Sequence, residues 1–207
     1  MEKIYKETFI GLFKKPREVF QSTIDNKLDK YQVLLLILGG ISNALGKAIG
    51  SGNSDSLGLF GTLIVCIIAG TLFGWLGVYI MSGLLSFTGK WINGRARTND
   101  ILNIVSYASV PMIFTIVIDI IYLFTFGGNL FQKNINLYVL GLTSYLIYIV
   151  GFIIILVLGI YYLVFLIIGL SVVQGFSIGK SLLNLLFAAL IIVIPFLLIV
   201  LAIGLFR

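Results

Sequence analysis

The chain has 207 residues, 59% of them hydrophobic and only 11% charged, where a soluble domain carries roughly 25% charged residues. With a mean hydropathy of +1.12 it has too few polar side chains to cover a surface in water, which excludes a soluble enzyme or a nucleic-acid-binding module. Fourteen basic residues against eight acidic ones leave a net charge of +6, and there is no histidine and a single cysteine, Cys66. The commonest metal ligand, the usual general base and any internal disulfide are therefore missing.

Residues 1–30 are charged throughout and contain no short signal-type apolar run, so no cleavable signal is expected. Tyr5, Phe9, Leu12, Phe13, Pro16, Phe20 and Ile24 recur at three- and four-residue steps, with the lysines and Arg17 mostly between them. This spacing predicts two short amphipathic helices, the second opening at Pro16, lying on the anionic inner leaflet. The alternative is that they pack on the inner loops of the bundle.

From residue 31 onward, apolar runs longer than about 18 residues recur, the pattern of membrane-spanning helices. The fold class predicted is an all-α, polytopic integral membrane helical bundle: a cytoplasmic lead-in over 1–30, then a five-span membrane domain over 31–207. The spans fall at about 31–50, 57–88, 101–126, 144–173 and 182–206. The fourth region is open to two readings, because no charge interrupts Asn134–Gly179. One long helix with an interfacial start near Asn136 to Ser144 is preferred over two spans turning near Gly151 or Gly159, since a turn in lipid needs its backbone groups satisfied by neighbours.

Charge orients the chain. With five spans and the amino terminus inside, eleven basic residues lie on the inner side, among them Lys90, Arg95, Arg97 and Lys180. Only Lys47, Lys133 and Arg207 lie outside, the bias expected of a cytoplasmic amino terminus. The carboxyl terminus is then outside.

Asp119 is the only acid within a predicted span. A charge at the centre of a membrane helix costs about 2.5–3.5 kcal/mol on insertion scales and calls for a partner or a wet path. Lys47, at a similar inferred depth, is the candidate for an intramembrane ion pair, with Asn43 one turn deeper; the alternative is that each charge snorkels outward. Ser42, Gly46 and Gly50 are spaced by four, as are Gly70 and Gly74, with Gly77 three further on. Such rows let helix backbones approach closely and serve internal packing or a homo-oligomer. Pro111 predicts a kink in the third span near Tyr107 and Ser109, or a hinge or polar pocket there. Ile101-Leu102-Asn103 before Pro111 is weakly echoed by Leu182-Leu183-Asn184 before Pro195.

Two catalytic-looking motifs fail on chemistry. Gly175-Phe176-Ser177-Ile178-Gly179 fits the nucleophile-elbow pattern but has no histidine to activate Ser177, which is expected to cap the fifth helix. Gly179-Lys180-Ser181 resembles the end of a phosphate loop, but Gln174 stands where glycine is required. No catalytic residue, metal site or cofactor is expected.

Lys15-Pro16-Arg17-Glu18-Val19-Phe20 resembles the Pro-Arg-x-x-Phe lead-in of the Yip domain, the Ypt-interacting protein family. Gly94 through Ile104-Val105-Ser106-Tyr107-Ala108-Ser109-Val110-Pro111 resembles that family's loop followed by Tyr-Ala-Ser-x-Pro at the head of its third helix. The likeness covers essentially the whole chain, in the manner of a short prokaryotic member. It implies a five-helix membrane domain, a cytosolic amino terminus and no catalytic activity. Eukaryotic members are linked to Rab-type GTPases through a longer amino-terminal region, so small-GTPase binding is not carried over to a lead-in of about 30 residues.

These readings converge on a non-enzymatic membrane organiser, or a scaffold for other membrane proteins, in the prokaryotic plasma membrane. Lys14, Lys15, Arg17, Lys90, Arg95 and Arg97 would form an inner face for anionic lipid or a partner. The alternative is a small transporter or channel with a polar path through Asn43, Lys47, Asn103 and Asp119; so few polar groups lie within the spans that the scaffold is favoured.

Overall fold

In hydrocarbon a backbone has no water to bond, so a spanning chain must satisfy its own N–H and C=O groups, which a helix does within one segment. The computed structural model describes residues 10–26, 29–133 and 141–205, and its regular elements are helical throughout. After a helical turn over residues 10–14 come α1 (Pro16–Asp25), α2 (Gln32–Ala48), α3 (Asn53–Trp91), α4 (Thr98–Ala108), α5 (Val110–Ile113) and α6 (Thr115–Phe126). A 3-10 turn (Gly127–Phe131), α7 (Leu142–Gln174) and α8 (Ile178–Leu205) complete the order. Tyr5 and Phe9, the interfacial start at Asn136 and the final Phe206 lie outside the described residues.

Among the described residues, four stretches are long and apolar enough to cross a membrane: Asp55–Trp91, Val110–Phe131, Leu142–Gln174 and Ile178–Ala202. Their outward faces carry large apolar side chains, with Phe124 88% exposed and Phe60 78% exposed, a surface suited to lipid and not to water. The first predicted span does not reach that length. Its helix stops at Ala48 after 17 residues, because Ile49 turns extended (ψ 124°) and Gly50 and Gly52 take positive φ. The fourth region is one unbroken helix of 33 residues.

The predicted third span is in three pieces, α4, α5 and α6, broken around Ser109 and Phe114. Pro111 lacks an N–H and its ring crowds the carbonyl four residues back. Side-chain hydroxyls make up what the break costs. Ser109 Oγ donates to the Ser106 carbonyl at 2.7 Å, and Thr115 Oγ1 and Ser42 Oγ donate to the Met112 carbonyl at 2.7 and 2.8 Å.

The chain divides into two compact units. One comprises residues 28–78 and 105–166, the other residues 1–27, 79–104 and 167–207. In the first, α2 lies against α3 at glycine. A side chain on Gly40 would strike the Gly70 carbonyl and the Gly74 Cα, and one on Gly70 would come within 2.7 Å of the Ile41 Cα. Gly70 and Gly74 thus serve internal packing, whereas a Cβ on Gly46 or Gly77 would meet no neighbour within 4 Å. Further along, Tyr122 donates its hydroxyl to the Tyr148 carbonyl at 2.6 Å, stacks on the Tyr148 ring and fills the space a side chain on Gly151 would need. Ala48, Cys66, Tyr122, Phe126, Leu130 and Phe131 form the apolar core of this unit.

The second unit is keyed by Gln174. Its side chain is 1% exposed, accepts the Ala96 N–H at 3.1 Å and donates to the Leu85 carbonyl at 3.1 Å. Gly89 and Gly94 are bare because Gln174 occupies the volume their side chains would take. Ser86 Oγ adds a bond to the Ala96 carbonyl at 3.0 Å. Helix α7 ends at Gly175 (φ +71°), with Phe176 N–H returning to the Ser171 carbonyl at 2.9 Å, a Schellman closure. The amphipathic lead-in buries its apolar face here: Leu12, Val19, Phe20 and Thr23 are all buried, and the Phe20 ring lies 3.4 Å from where a Gly169 side chain would begin. The buried side of α1 thus meets protein within this unit, while Ile10 and Phe13 just before it stay exposed.

Gly40→Val should destabilise the protein by about 1–3 kcal/mol through overpacking, read by unfolding in mixed micelles. Gly77→Ala, with open space around it, should stay within about 0.5 kcal/mol of wild type. Gln174→Leu keeps the volume but orphans the buried Ala96 N–H, and should cost about 1–3 kcal/mol; a loss no larger than that of Gly77→Ala would contradict the keying role.

Candidate functional site

Two sets of residues carry chemistry, one in each unit. The first is basic. Lys14, Lys15, Arg17, Lys90, Arg95 and Arg97 are all exposed, and all belong to the unit built from 1–27, 79–104 and 167–207. Lys15 is tied to Glu18 at 3.0 Å. The turn bearing Arg95 and Arg97 is held from both sides: Asn93 takes a left-handed conformation (φ 68°), Ala96 is locked by Gln174 and Ser86, and the Arg97 N–H bonds Asp100 Oδ2 at 3.2 Å. A fixed backbone under exposed guanidinium groups makes a presented surface. Lys180, not counted in the predicted face, joins it; its ammonium reaches the Ile92 carbonyl at 3.5 Å.

Within this unit the echoed asparagines also appear. Thr88 Oγ1 donates to Asn184 Oδ1 at 2.7 Å, while Asn184 Nδ2 and Asn103 Oδ1 are buried without a hydrogen-bond partner. Ser177 accepts the Lys180 N–H at 3.4 Å, the contact of a helix cap.

The second set lines a cleft of about 350 Å³ in the other unit, walled by α2, α5, α6 and α7. Asn43, Gly46 and Lys47 come from α2, Thr115, Asp119 and Tyr122 from α6, and Tyr148, Phe152 and Ile155 from α7. Helical periodicity explains the gathering, since Asn43 and Lys47, and Thr115 and Asp119, are each four apart and share a face. Ser42 Oγ and Thr115 Oγ1 lie 2.6 Å apart at its floor. Asp119 is 7% exposed, and its Oδ2 is buried with no hydrogen-bond partner among the described residues. Lys47 thus shares the cleft with Asp119 without reaching that oxygen. On its other side Asp119 borders an apolar cavity of about 80 Å³ lined by Leu45, Ile49 and Leu63. Asn103, the fourth residue of the predicted polar path, belongs to the other unit.

Sequence reasoning missed Gln174 as a structural key and Ser42 with Thr115 as the floor of the cleft. Gln174 had a signal, being an uncharged polar residue at the end of a long apolar run. Ser42 and Thr115 had none beyond their spacing, because their partner is the Met112 carbonyl, at a helix break that the spacing of neither residue shows.

Neither the curated proteins nor the solved structures contain a match to this chain. The Yip1 domain matches it over residues 10–201, which takes in the lead-in, the basic turn, the cleft and nearly all of α8. With four helices apolar and long enough to cross a bilayer, the chain belongs to the Yip1 domain family and is an integral membrane protein.

Proposed function

We propose that this protein is a non-enzymatic membrane organiser, or a scaffold for other membrane proteins, whose basic inner face engages anionic headgroups of the cytoplasmic leaflet. One observation carries the reading: six exposed basic residues belong to a single compact unit, with two of them on a turn pinned by Gln174. Because α1 spends its apolar face on protein contacts, the attraction to the membrane surface is electrostatic, at about 1 kcal/mol per basic residue and falling off within a Debye length.

Five crossings with the amino terminus inside fit the same unit. The lead-in packs at Gly169, five residues before the Gln174 that holds Ala96. The lead-in and the 92–97 turn then share one end, and α2 must cross as well as α3 for both to lie on one side. Seventeen residues rise about 26 Å, near the lower limit of a spanning helix, with Lys47 snorkelling at the outer end.

The second reading, a small transporter or channel, draws support from Asn43, Lys47 and Asp119 around one cleft. A water-soluble thiol reagent should leave Thr115→Cys unmodified in a scaffold and modify it in a transporter.

The headgroup reading is tested by extracting the protein from bilayers of mixed phosphatidylglycerol and phosphatidylcholine. Wild type should retain an excess of the anionic lipid, and the Lys90→Gln, Arg95→Gln, Arg97→Gln variant should lose most of it, as should wild type at high salt. An unchanged excess in both would contradict the reading.

A further inference from the structure

We propose that the cleft walled by α2, α5, α6 and α7 binds a zwitterionic headgroup carrying a primary ammonium and a phosphate, the ammonium on Asp119 and the phosphate on Lys47. The inference goes beyond the basic inner face, uses none of its residues, and can fail independently of it.

Asp119 sets the demand. An ionised carboxylate accepts hydrogen bonds and donates none, and this one is 93% buried with Oδ2 lacking a donor. In a low-dielectric setting such a group requires a positive, hydrogen-bonding partner. Among the described residues, Lys47 is the only base lining the cleft and Asp119 the only acid. They supply one charge of each sign at separate points, without closing on Oδ2 into a direct pair.

A ligand of the same polarity reversed satisfies both poles and leaves the cleft neutral. A lone cation would satisfy Asp119 and face Lys47; a lone anion would do the opposite. The expected intramembrane ion pair is thus recast as a pair completed through a bound group.

The chemistry of the cationic end follows from Asp119. A primary ammonium brings three N–H donors to a carboxylate, and such charge-assisted bonds are the strong ones. A quaternary ammonium brings none and gains only the aromatic walls of Tyr122, Tyr148 and Phe152. The surroundings favour a lipid as the source. Asn43 and Lys47 are exposed at the cleft, one residue separates Lys47 from the end of α2, and Phe152, 54% exposed, borders the cleft with Ile155 and Ile49. A headgroup enters at such a place with its acyl chains remaining on the apolar flank. A volume of about 350 Å³ lies at the small end of ligand pockets, about 300–1,000 Å³.

The test is native mass spectrometry of the delipidated full chain with phosphatidylethanolamine, phosphatidylcholine and phosphatidylglycerol of identical acyl chains. Wild type should bind phosphatidylethanolamine about tenfold more tightly than the other two, the equivalent of one charge-assisted bond. Asp119→Asn should erase that preference, and Lys47→Met should weaken all three. Free phosphoethanolamine distinguishes the sources: failure to displace the lipid assigns the site to a phospholipid, and displacement at matching concentration assigns it to a soluble zwitterion of the same chemistry. Equal binding of the three lipids by wild type, which needs no variant to fold, would overturn the proposal. So would strong coupling between Lys47→Met and Asp119→Asn in the stability of lipid-free protein, the mark of a direct ion pair.

Discussion

Every backbone N–H and C=O that this chain places in hydrocarbon must find its partner within the protein. Helices meet that demand along their length. It becomes acute at the places where helices stop, and there the chain uses side chains. The Met112 carbonyl, beside the break at Phe114, receives two hydroxyls, from Ser42 and Thr115. The Ala96 N–H, at the turn between α3 and α4, is joined to the Leu85 carbonyl within α3 through one amide, Gln174. In water such residues would be ordinary surface polar groups. In lipid they decide where the chain can turn.

The same medium explains the packing. Lipid tails are as apolar as leucine, so there is no hydrophobic gain in pressing two leucine faces together, and close contact comes from small residues. Gly40 against Gly70 and Gly74 is that contact in one unit, and Gly169 under Phe20 and Ile104 is its counterpart in the other. Many large apolar side chains, Phe60 and Phe124 among them, stay exposed. A fold built this way leaves its polar side chains few and placed with a purpose, so Asp119 stands out against its background.

Much of this was legible in the sequence. The absence of charge over long stretches showed lipid as the solvent, and the lead-in and Tyr-Ala-Ser-Val-Pro motifs pointed to the Yip family that the match over 10–201 bears out. The depth of Asp119 on its helix showed where to look for a cleft, and Lys47 and Asn43 do line it. What stayed hidden depended on pairs of distant residues. Spacing of four within one helix nominated Ser42, Gly46 and Gly50 for close packing, yet the contact uses Gly40, because the partner's position and not the helix's own period selects the glycine. The amphipathic stripe of α1 reads identically whether it meets lipid or protein, and only Gly169, some 150 residues away, decides the matter. The end of α2 at Ala48 was masked by a predicted span that ran through Ile49 to Gly50.

The functional account depends on the lead-in and the Arg95 turn lying on one side of the bilayer, with α2 crossing despite its length. Single cysteines at Phe13, Arg95 and Gln132 in a Cys66→Ser background, challenged with a membrane-impermeant maleimide on intact cells, test this directly. The account predicts that position 132 is labelled, while positions 13 and 95 react only after the membrane is opened. Labelling of position 95 on intact cells with position 13 protected would mean that α2 does not cross, and would contradict it.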